Sequence, residues 1–283
     1  MKKKLLLLVM SAVLLMSFFA MTPVSAASAY RRIHISSGKQ IDLDGNGKAD
    51  TVTYGYDAVS HNIVVTVNGK VSATVAISDY ENGAPYYRVF YGDIKSSDRF
   101  KELFVDVHVE NGFIMTYVLR YNGKKLSTAT VWSYDYTNRK YVRQKYFYTI
   151  DPASSDAKAV TVNKKGSVSA YDKCDVIGSF YYSKTYKLTG LFSLKEQVQK
   201  YVDPHTSAKA ETDFVAYTGK SLKSSTVTIK SGQTITFVKS DLRRWARFTT
   251  SGGKSGWLCF DGVNVKPGDV SLYSIMPGLP FWG

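Results

Sequence analysis

The most specific chemical signal in the sequence is a run of oxygen-bearing side chains between Asp42 and Asp50. Aspartate or asparagine stands at positions 1, 3, 5 and 9 of this run, and the glycine at position 6 permits a sharp turn. This spacing wraps a backbone around Ca²⁺. The sequence therefore predicts a calcium loop, here called the acidic turn, with ligands from Asp42, Asp44, Asn46, Lys48 (through its carbonyl) and Asp50. The alternative is a turn held only by hydrogen bonds to its Asp and Asn side chains.

The flanks of the acidic turn predict a strand and exclude a helix–loop–helix site. Such a site has a bidentate Glu at position 12, which here is Thr53. Residues 51–56 alternate larger and smaller side chains with the period of a strand. A loop of the form Asp-x-Asp-x-Asn-Gly-x-x-Asp that enters a strand directly resembles the calcium loops of FG-GAP and VCBS-type β-repeats. The resemblance implies a β-repeat domain in which position 12 is not a ligand.

The N-terminus predicts export. Three lysines, Lys2 to Lys4, precede an apolar stretch from Leu5 to Met21, and small residues at Val24-Ser25-Ala26 fit a cleavage site. Residues 1–26 are therefore predicted to be a signal peptide, with an uncleaved anchor as the alternative. No second apolar span follows, so the mature chain is expected to be secreted or associated with the cell surface, without a transmembrane segment.

The charge of the chain restricts its partners. The formal net charge is +14, and +11 remains once the three lysines of the predicted signal peptide are removed. Outside that segment no run of Lys and Arg is longer than two, which argues against nucleic acid. For an exported protein the expected anionic partners are cell-surface polymers such as teichoic acids, acidic lipid headgroups or a surface protein. A plain role of the charge in solubility is the alternative.

From residue 30 to about residue 186 the sequence has almost entirely β character. Alternating apolar residues predict strands at 63–67, 71–77, 103–109, 113–121, 130–136, 140–149, 159–162 and 180–188. Asn68-Gly69 fits a type I′ turn and predicts a hairpin between the first two of these strands.

A faint internal repeat runs through the same region. The order acidic turn, acidic residue and apolar strand, seen at 42–54, recurs at 92–105, and 160–168 is a hairpin of the same kind without the acids. Such units cannot bury their own faces and need neighbours, and three or four are too few for a closed propeller of ordinary blades. We expect residues 30–202 to form an all-β domain, either a small or open propeller-like array or a β-sandwich.

The sequence changes character after residue 190. Leu194, Val198 and Tyr201 at helical spacing predict a helix over 191–202, and the polar residues 203–212 predict a linker. In residues 213–283, a hairpin at Lys230-Ser231-Gly232 precedes a strand with Trp245 and a glycine-rich turn from Gly253 to Leu258. This order resembles bacterial SH3-like (SH3b) domains, which implies a small SH3-like β-barrel. It implies binding or surface display and no particular ligand.

No set of residues in the sequence forms a recognisable catalytic site. Cys174 and Cys259 could form a disulfide in an oxidising compartment or remain two buried thiols, and neither lies in a metal-binding cluster. Cys174 with His205 is the nearest approach to a catalytic pair, but the aspartates on both sides of Cys174 disfavour a thiolate. The protein is predicted not to be an enzyme.

A group of basic and aromatic residues in the C-terminal part is the candidate ligand site. Arg243, Arg244 and Arg247 crowd around Trp245, and Trp257 follows on the next predicted strand. They could hold an anionic wall polymer, although both tryptophans also suit the core of a small barrel. The sequence thus predicts a secreted, calcium-stabilised binding protein that contacts the cell envelope or a surface partner. The alternatives are an envelope-associated accessory or inhibitor protein without a metal, and a cell-wall hydrolase.

Overall fold

The computed structural model describes residues 30–77, 85–109, 112–150, 159–174, 176–190 and 192–280. The predicted signal peptide, residues 1–26, lies outside them. The all-β prediction is confirmed, because the described chain folds into antiparallel sheets of 25 strands, numbered here in chain order, with one short helix, Leu272–Ile275 (α1). Within the described ranges no helix is long and apolar enough to cross a membrane.

The N-terminal sheet consists of four antiparallel strands in chain order: Lys39–Ile41 (β3), Asp50–Asp57 (β4), Asn62–Val67 (β5) and Val71–Ala76 (β6). Its alternating apolar residues, such as Ile63 and Val65, are fully buried. The predicted hairpin between β5 and β6 is confirmed. Asn68 and Gly69 both have a positive φ, 56° and 64°, as a type I′ turn requires.

The second sheet is built around the most buried strands of the chain. It contains Ile33–His34 (β2), Tyr87–Gly92 (β7), Glu102–His108 (β8), Phe113–Tyr121 (β9), Leu126–Thr128 (β10) and Tyr146–Ile150 (β13). The order is β10-β9-β8-β7-β2, and β13 also pairs with β9. One face packs on the N-terminal sheet through residues such as Leu103 and Val105, and the other packs on the third sheet through Phe104 and Phe147.

The third sheet contains Tyr30–Arg31 (β1), Thr130–Asp135 (β11), Lys140–Gln144 (β12), Val160–Val162 (β14), Ser167–Cys174 (β15), Phe180–Thr189 (β16) and Ser193–Glu196 (β17). Its order is β1-β14-β15-β16-β17-β11-β12, with β11 and β17 parallel. The single strand predicted over 140–149 is two strands, because the chain leaves the third sheet at Lys145 and enters the second.

The helix predicted over 191–202 is wrong. Residues 193–196 form β17, which pairs with β16 on one side and with β11 on the other. Leu194 and Glu196 face inward while Lys195 is exposed, so burial follows the period of a strand. Val198, expected on the apolar face of the helix, is 46% exposed. Pairing with two neighbouring strands has therefore overridden the local helical spacing.

The C-terminal sheet contains Thr206–Lys209 (β18), Phe214–Tyr217 (β19), Thr226–Ile229 (β20), Thr234–Ser240 (β21), Trp245–Thr250 (β22), Ser255–Asp261 (β23), Asn264–Lys266 (β24) and Val270–Ser271 (β25). Its main order is β18-β21-β22-β23-β19-β20, and β24 extends it from β23. In the described chain no sheet closes into a barrel.

The C-terminal sheet is joined directly to the third sheet. The segment predicted as a linker, 203–212, contains β18, which pairs with β21. Ile177, Phe180 and Tyr182 of the third sheet lie in the same apolar cluster as Phe237 and Phe248. Burial of this shared cluster fixes the two parts against each other.

A buried arginine connects the second and third sheets at the start of the described chain. The Arg32 guanidinium donates two parallel hydrogen bonds of 2.8 Å to the carboxylate of Asp106 in β8. Its Nε donates to the carbonyl of Val160 in β14, and Thr116 also donates to Asp106. Both side chains of the ion pair are fully buried, and the guanidinium lies 4.5 Å from the centre of the Phe90 ring. One charged side chain thus joins strands of two sheets.

Removal of one partner of this ion pair is expected to destabilise the protein strongly. Asp106→Leu leaves the Arg32 guanidinium buried without its counter-charge, and we expect a loss of about 3–5 kcal/mol in the free energy of unfolding. The double variant Arg32→Met/Asp106→Leu removes both charges and should recover most of that loss. Urea unfolding of the three proteins measures this. A double variant that is no more stable than Asp106→Leu would contradict the account.

Candidate functional site

The acidic turn brings three carboxylates together at the entry to β4. Asp42, Asp44 and Asp50 each offer an oxygen, and these oxygens all lie within 4.8 Å of one another. Asp44 and Asp50 are buried, and Asp42 is half-buried. Among the described residues no Lys, Arg or His forms an ion pair with any of the three. The turn therefore concentrates negative charge without a protein counter-charge.

Hydrogen bonds hold these carboxylates in place. Asp42 accepts the amide N–H groups of Asn46 and Gly47 at 3.1 Å, and Asp50 accepts that of Leu43 at 3.0 Å. The remaining two predicted ligands are exposed, and the Asn46 side-chain oxygen accepts the amide N–H of Lys48. These bonds are also those of a turn that holds its own backbone, so both readings of the turn from the sequence fit them.

Two glycines allow neighbouring segments to approach the acidic turn. A Cβ atom on Gly45 would lie 2.3 Å from the carbonyl oxygen of Arg99, and Gly45 has a positive φ of 67°. A Cβ atom on Gly123 would lie 2.6 Å from Oδ2 of Asp44. The acidic turn is therefore enclosed by the β7–β8 turn and the β9–β10 turn, which lie at the same end of the β8–β9 pair. This close approach limits the freedom of the acidic turn without any ligand.

The faint repeat in the sequence corresponds to three similar turns with different charges. In the second, the Ile94 amide N–H donates to Glu102 as that of Leu43 donates to Asp50 in the acidic turn. There the Arg120 guanidinium pairs with Glu102 and with Asp98. In the third turn neutral Asn163 takes the place of the acids. Only the acidic turn, of these three, gathers carboxylates without a protein cation.

The carboxyl of Glu102 has an unusual environment. Burial raises its pKa to about 7, although the amide of Ile94 and the Arg120 guanidinium lower it. The Arg120 guanidinium in turn lies 4.9 Å from the centre of the Phe100 ring and 4.8 Å from that of Phe192. In this second turn, Arg120 and the two aromatic rings surround the carboxylate of Glu102. The carboxylates of the acidic turn have no such neighbours among the described ion pairs.

Three of the predicted ligand residues of the C-terminal part, Trp245, Arg247 and Trp257, lie on one face of its sheet. Trp245 and Arg247 alternate on β22 on this face, and Arg247 is the register partner of Trp257. Trp245 is 6% exposed, and its ring centre lies 5.8 Å from that of Tyr217. It is therefore a core residue, which was the alternative to a ligand-binding role. Trp257 is half-buried.

Arg243 and Arg244 lie in the exposed turn before β22. The Asp241 carboxylate forms this turn by accepting three amide N–H groups, those of Arg243, Arg244 and Trp245, at 2.9–3.0 Å. Its other oxygen pairs with Lys220 at 2.8 Å. Burial works against the charged form of Asp241, but Lys220 and these amides outweigh it and lower the pKa. The two arginine side chains are thus presented by a rigid turn.

Three basic residues of this region, Arg139, Lys200 and Lys220, escaped prediction from the sequence, whereas Lys239 is expected there because it lies close to Trp245 in the chain. Tyr201 lies 6.0 Å from Trp257, and its ring faces the ammonium groups of Lys220, Lys239 and Lys200 at 4.8, 5.8 and 5.7 Å. Arg139, at the β11–β12 turn, approaches from the third sheet. We call the whole set the basic surface: Arg139, Lys200, Lys220, Lys239, Arg243, Arg244 and Arg247. Arg139, Lys200 and Lys220 are far from one another in the sequence, so no local motif predicts that they lie together.

A cavity of about 330 Å³ opens within the basic surface. It is lined by Arg139, Lys220, Arg243, Arg244, Asp241 and Trp245. Four cations thus surround a single carboxylate, which is already neutralised by Lys220. The excess positive charge of the chain is therefore locally concentrated around a concave site between the third and C-terminal sheets.

Cys259 is buried beside Trp245, Cys174 is half-buried, and the two are not joined to each other. Burial raises the pKa of the Cys259 thiol, which disfavours the nucleophilic thiolate. The disulfide that was one of the two possibilities from the sequence is not formed.

No protein-family model, curated protein or solved structure matches this chain.

The protonation of Glu102 should make stability depend on pH. Because its pKa is raised from 4.5 to about 7 on folding, the folded state holds a proton that the unfolded state releases between these values. Its contribution is therefore complete below about pH 4.5 and is lost as the pH rises to 7, roughly 3 kcal/mol in all. Glu102→Gln should remove this slope in a series of urea unfolding curves. An unchanged slope in the variant would assign it to other groups.

Proposed function

We propose that the protein is a secreted binding protein that holds an anionic polymer of the cell envelope on its basic surface. The observation that carries this proposal is the 330 Å³ cavity lined by four cations around one carboxylate. A phosphate-bearing wall polymer is the fitting partner, because its charged groups repeat along a chain and each could meet an exposed guanidinium.

The arrangement of the cations favours phosphate over a single carboxylate ligand. Arg243 and Arg244 are exposed and held by the Asp241 turn, so their planar groups are free to form paired hydrogen bonds to phosphate oxygens. Lys200, Lys220 and Lys239 extend the positive potential past Tyr201. A path of this kind suits an extended polyanion and should be screened by salt.

Calcium is proposed as a structural ion in the acidic turn. The donor set fits it, since three carboxylates lie within 4.8 Å without a protein cation and calcium takes oxygen ligands only. The related turns support this assignment, because one carries Arg120 and the other carries no acid at the corresponding place. Asp42, Asp44 and Asp50 would hold the ion, and Asn46 and Lys48 would complete its shell. The ion would neutralise the carboxylates and tie the entry of β4 to its neighbours.

The architecture supports a relationship to VCBS and FG-GAP-like repeats with a C-terminal SH3-like part. Three sheets each contain a related turn between two neighbouring strands, namely β3–β4, β7–β8 and β14–β15, and an antiparallel sheet with a Trp-bearing strand follows. We interpret the three sheets as an open propeller-like array and residues 206–280 as an open form of the SH3-like arrangement.

The polymer proposal is tested by removing charge from the basic surface. Arg243→Gln/Arg244→Gln should weaken binding to isolated cell walls or purified teichoic acid at least about tenfold, equivalent to about 1.4 kcal/mol. Binding of the unmodified protein should also fall steeply with salt. Co-sedimentation and fluorescence anisotropy at low and high salt measure both effects.

The matched control for that experiment removes the same charge elsewhere. Lys39→Gln/Lys70→Gln neutralises two exposed lysines of the N-terminal sheet and should leave binding unchanged. If both double variants lose the same amount of binding, the effect depends only on the net charge of the protein. Full binding by the arginine variant would remove the basic surface from the proposal.

The calcium proposal is tested by thermal unfolding in EDTA and in millimolar Ca²⁺. We expect a modest affinity, on the order of 10⁻⁴ to 10⁻³ M, so that a tenfold excess over Kd stabilises the protein by about 1.4 kcal/mol. Asp44→Asn keeps an oxygen to accept the Asn46 amide but removes one charge. It should lose the response to Ca²⁺, yet be at least as stable as the unmodified protein in EDTA because carboxylate repulsion is relieved.

The control for the metal test is Asp57→Asn, at a half-buried aspartate at the end of the same strand, β4, whose side chain accepts hydrogen bonds from Val59 and Ser60 of its own turn. Its response to Ca²⁺ should equal that of the unmodified protein. Identical melting in EDTA and Ca²⁺ for all three proteins would leave the acidic turn as a turn without a metal.

A further inference from the structure

A cavity of about 550 Å³ lies where the second and third sheets separate at one end of their contact. It shares no residue with the acidic turn or with the cavity of the basic surface. Tyr186 marks its inner limit, because its ring stacks on Phe147 of the core at 5.1 Å while its hydroxyl reaches the lining at Ser133. The volume falls within the range of about 300–1,000 Å³ that is usual for small-molecule sites.

The two walls of this cavity differ in character. The wall from the third sheet carries polar groups, namely those of Ser133, Asp135, Gln144, Asp172 and Lys184. The wall from the second sheet is apolar, with Val109, the Phe113 ring and the Tyr148 ring, whose centres lie 6.5 Å apart. A ligand here meets hydrogen-bonding groups on one side and aromatic surface on the other.

The polar wall is built on an ion pair that packing does not require. Asp172 and Lys184 pair across β15 and β16, and Glu196 lies 3.8 Å behind Lys184. Burial lowers the pKa of Lys184, but the two carboxylates outweigh it and raise the pKa. Oε1 of Glu196 has no hydrogen-bond partner among the described residues, although that side chain is completely buried.

The residues that precede Asp172 and Glu196 on the same sheet face are apolar, as close packing in a core favours. Along β15 the residues that precede Asp172 on this face are Val168 and Ala170, and along β17 Leu194 precedes Glu196. All three are buried in the apolar core between the sheets. Because a buried ion pair is rarely more stabilising than apolar residues of similar size, its presence beside a cavity indicates a binding role.

We propose that this cavity binds a neutral sugar, as a monosaccharide or disaccharide. A sugar hydroxyl both donates and accepts, and the Asp172–Lys184 pair offers an acceptor and a donor side by side, with Gln144 and Ser133 next to them. The C–H face of a pyranose ring matches the aromatic wall of Phe113 and Tyr148. An organic cation would meet the Lys184 ammonium, and an anion would meet the carboxylates of Asp135 and Asp172.

The proposal is tested by titration of the mature protein with glucose, maltose, N-acetylglucosamine and its β-1,4-linked disaccharide. For a ligand of about twelve heavy atoms we expect a Kd on the order of 1 mM. Saturation-transfer NMR detects such binding, and quenching of tyrosine fluorescence gives its Kd. Tetramethylammonium and inorganic phosphate serve as the charged probes.

The variants are placed at cavity-lining residues outside the core, Tyr148, which is exposed, and Gln144, which is half-buried. Tyr148, 38% exposed, is replaced by Ala to remove the aromatic wall, and Gln144→Ala removes one polar partner; each should weaken binding about tenfold or more. The matched control is Tyr171→Ala, at a tyrosine that is 39% exposed on β15 and does not line the cavity, and its affinity should be unchanged. Melting temperatures confirm that all three variants fold.

The outcomes separate clearly. Binding of at least one of the four sugars that is lost in Tyr148→Ala and kept in Tyr171→Ala supports the proposal. The absence of binding for all four sugars, equal binding by all variants, or a preference for tetramethylammonium or phosphate would overturn it. Because these variants leave the basic surface untouched, the result is independent of the polymer experiment.

Discussion

The ion pair between Arg32 and Asp106 is the interaction on which the arrangement of the sheets depends. Arg32 lies between two short strands that belong to different sheets, β1 and β2, and its guanidinium reaches both sheets at once. A buried charge tolerates little displacement, because any loss of its partner leaves it without compensation. The chain therefore has one relative position of the second and third sheets in which this side chain is satisfied, and the core of Phe90, Phe104 and Phe147 forms around it.

The three related turns show how one backbone pattern is adapted by charge. The same hydrogen bond from the second residue of the turn to a later acid appears at Asp50 and at Glu102. Where Arg120 and two aromatic rings surround the acid, the charge is balanced within the protein. Where Asp42 and Asp44 are added instead, no Lys, Arg or His of the described residues forms an ion pair with them, and Asn163 in the third turn is neutral. The three turns thus have similar backbones and differ in their charged side chains.

Local patterns in the sequence predicted the local elements well. The hairpin at Asn68-Gly69 and the strand Phe113–Tyr121 follow from turn chemistry and alternation alone. The helix over 191–202 failed because Leu194 and Glu196 are fixed by β11 and β16, partners that no local window contains. The break at Lys145 was missed for the same reason, since two strands on either side of it join different sheets.

The candidate sites divide in the same way. The acids of the acidic turn and the arginines near Trp245 are contiguous enough to be recognised. In contrast, Arg139 and Lys220 meet Arg243 only through the packing of two sheets. Asp172, Lys184 and Glu196 occur at ordinary alternate positions of strands, where a charged residue normally predicts a solvated face. The face that carries these three residues is buried because of how the strands are ordered in the third sheet, which the local sequence does not reveal.

The strands paired as β11–β17 and as β1–β14 are far apart in the sequence, so the two strands of each pair are synthesised at different times. The hydrogen bond from Arg32 to Val160 joins residues 128 positions apart. At a synthesis rate of about 5–20 residues per second, Arg32 exists for roughly 6 to 26 s before its partner strand has been made. Contacts of such separation also fold slowly, because a long loop must close before they form. The buried position of Arg32 can therefore be completed only after β14 has been made, although β2 can pair with β7 earlier.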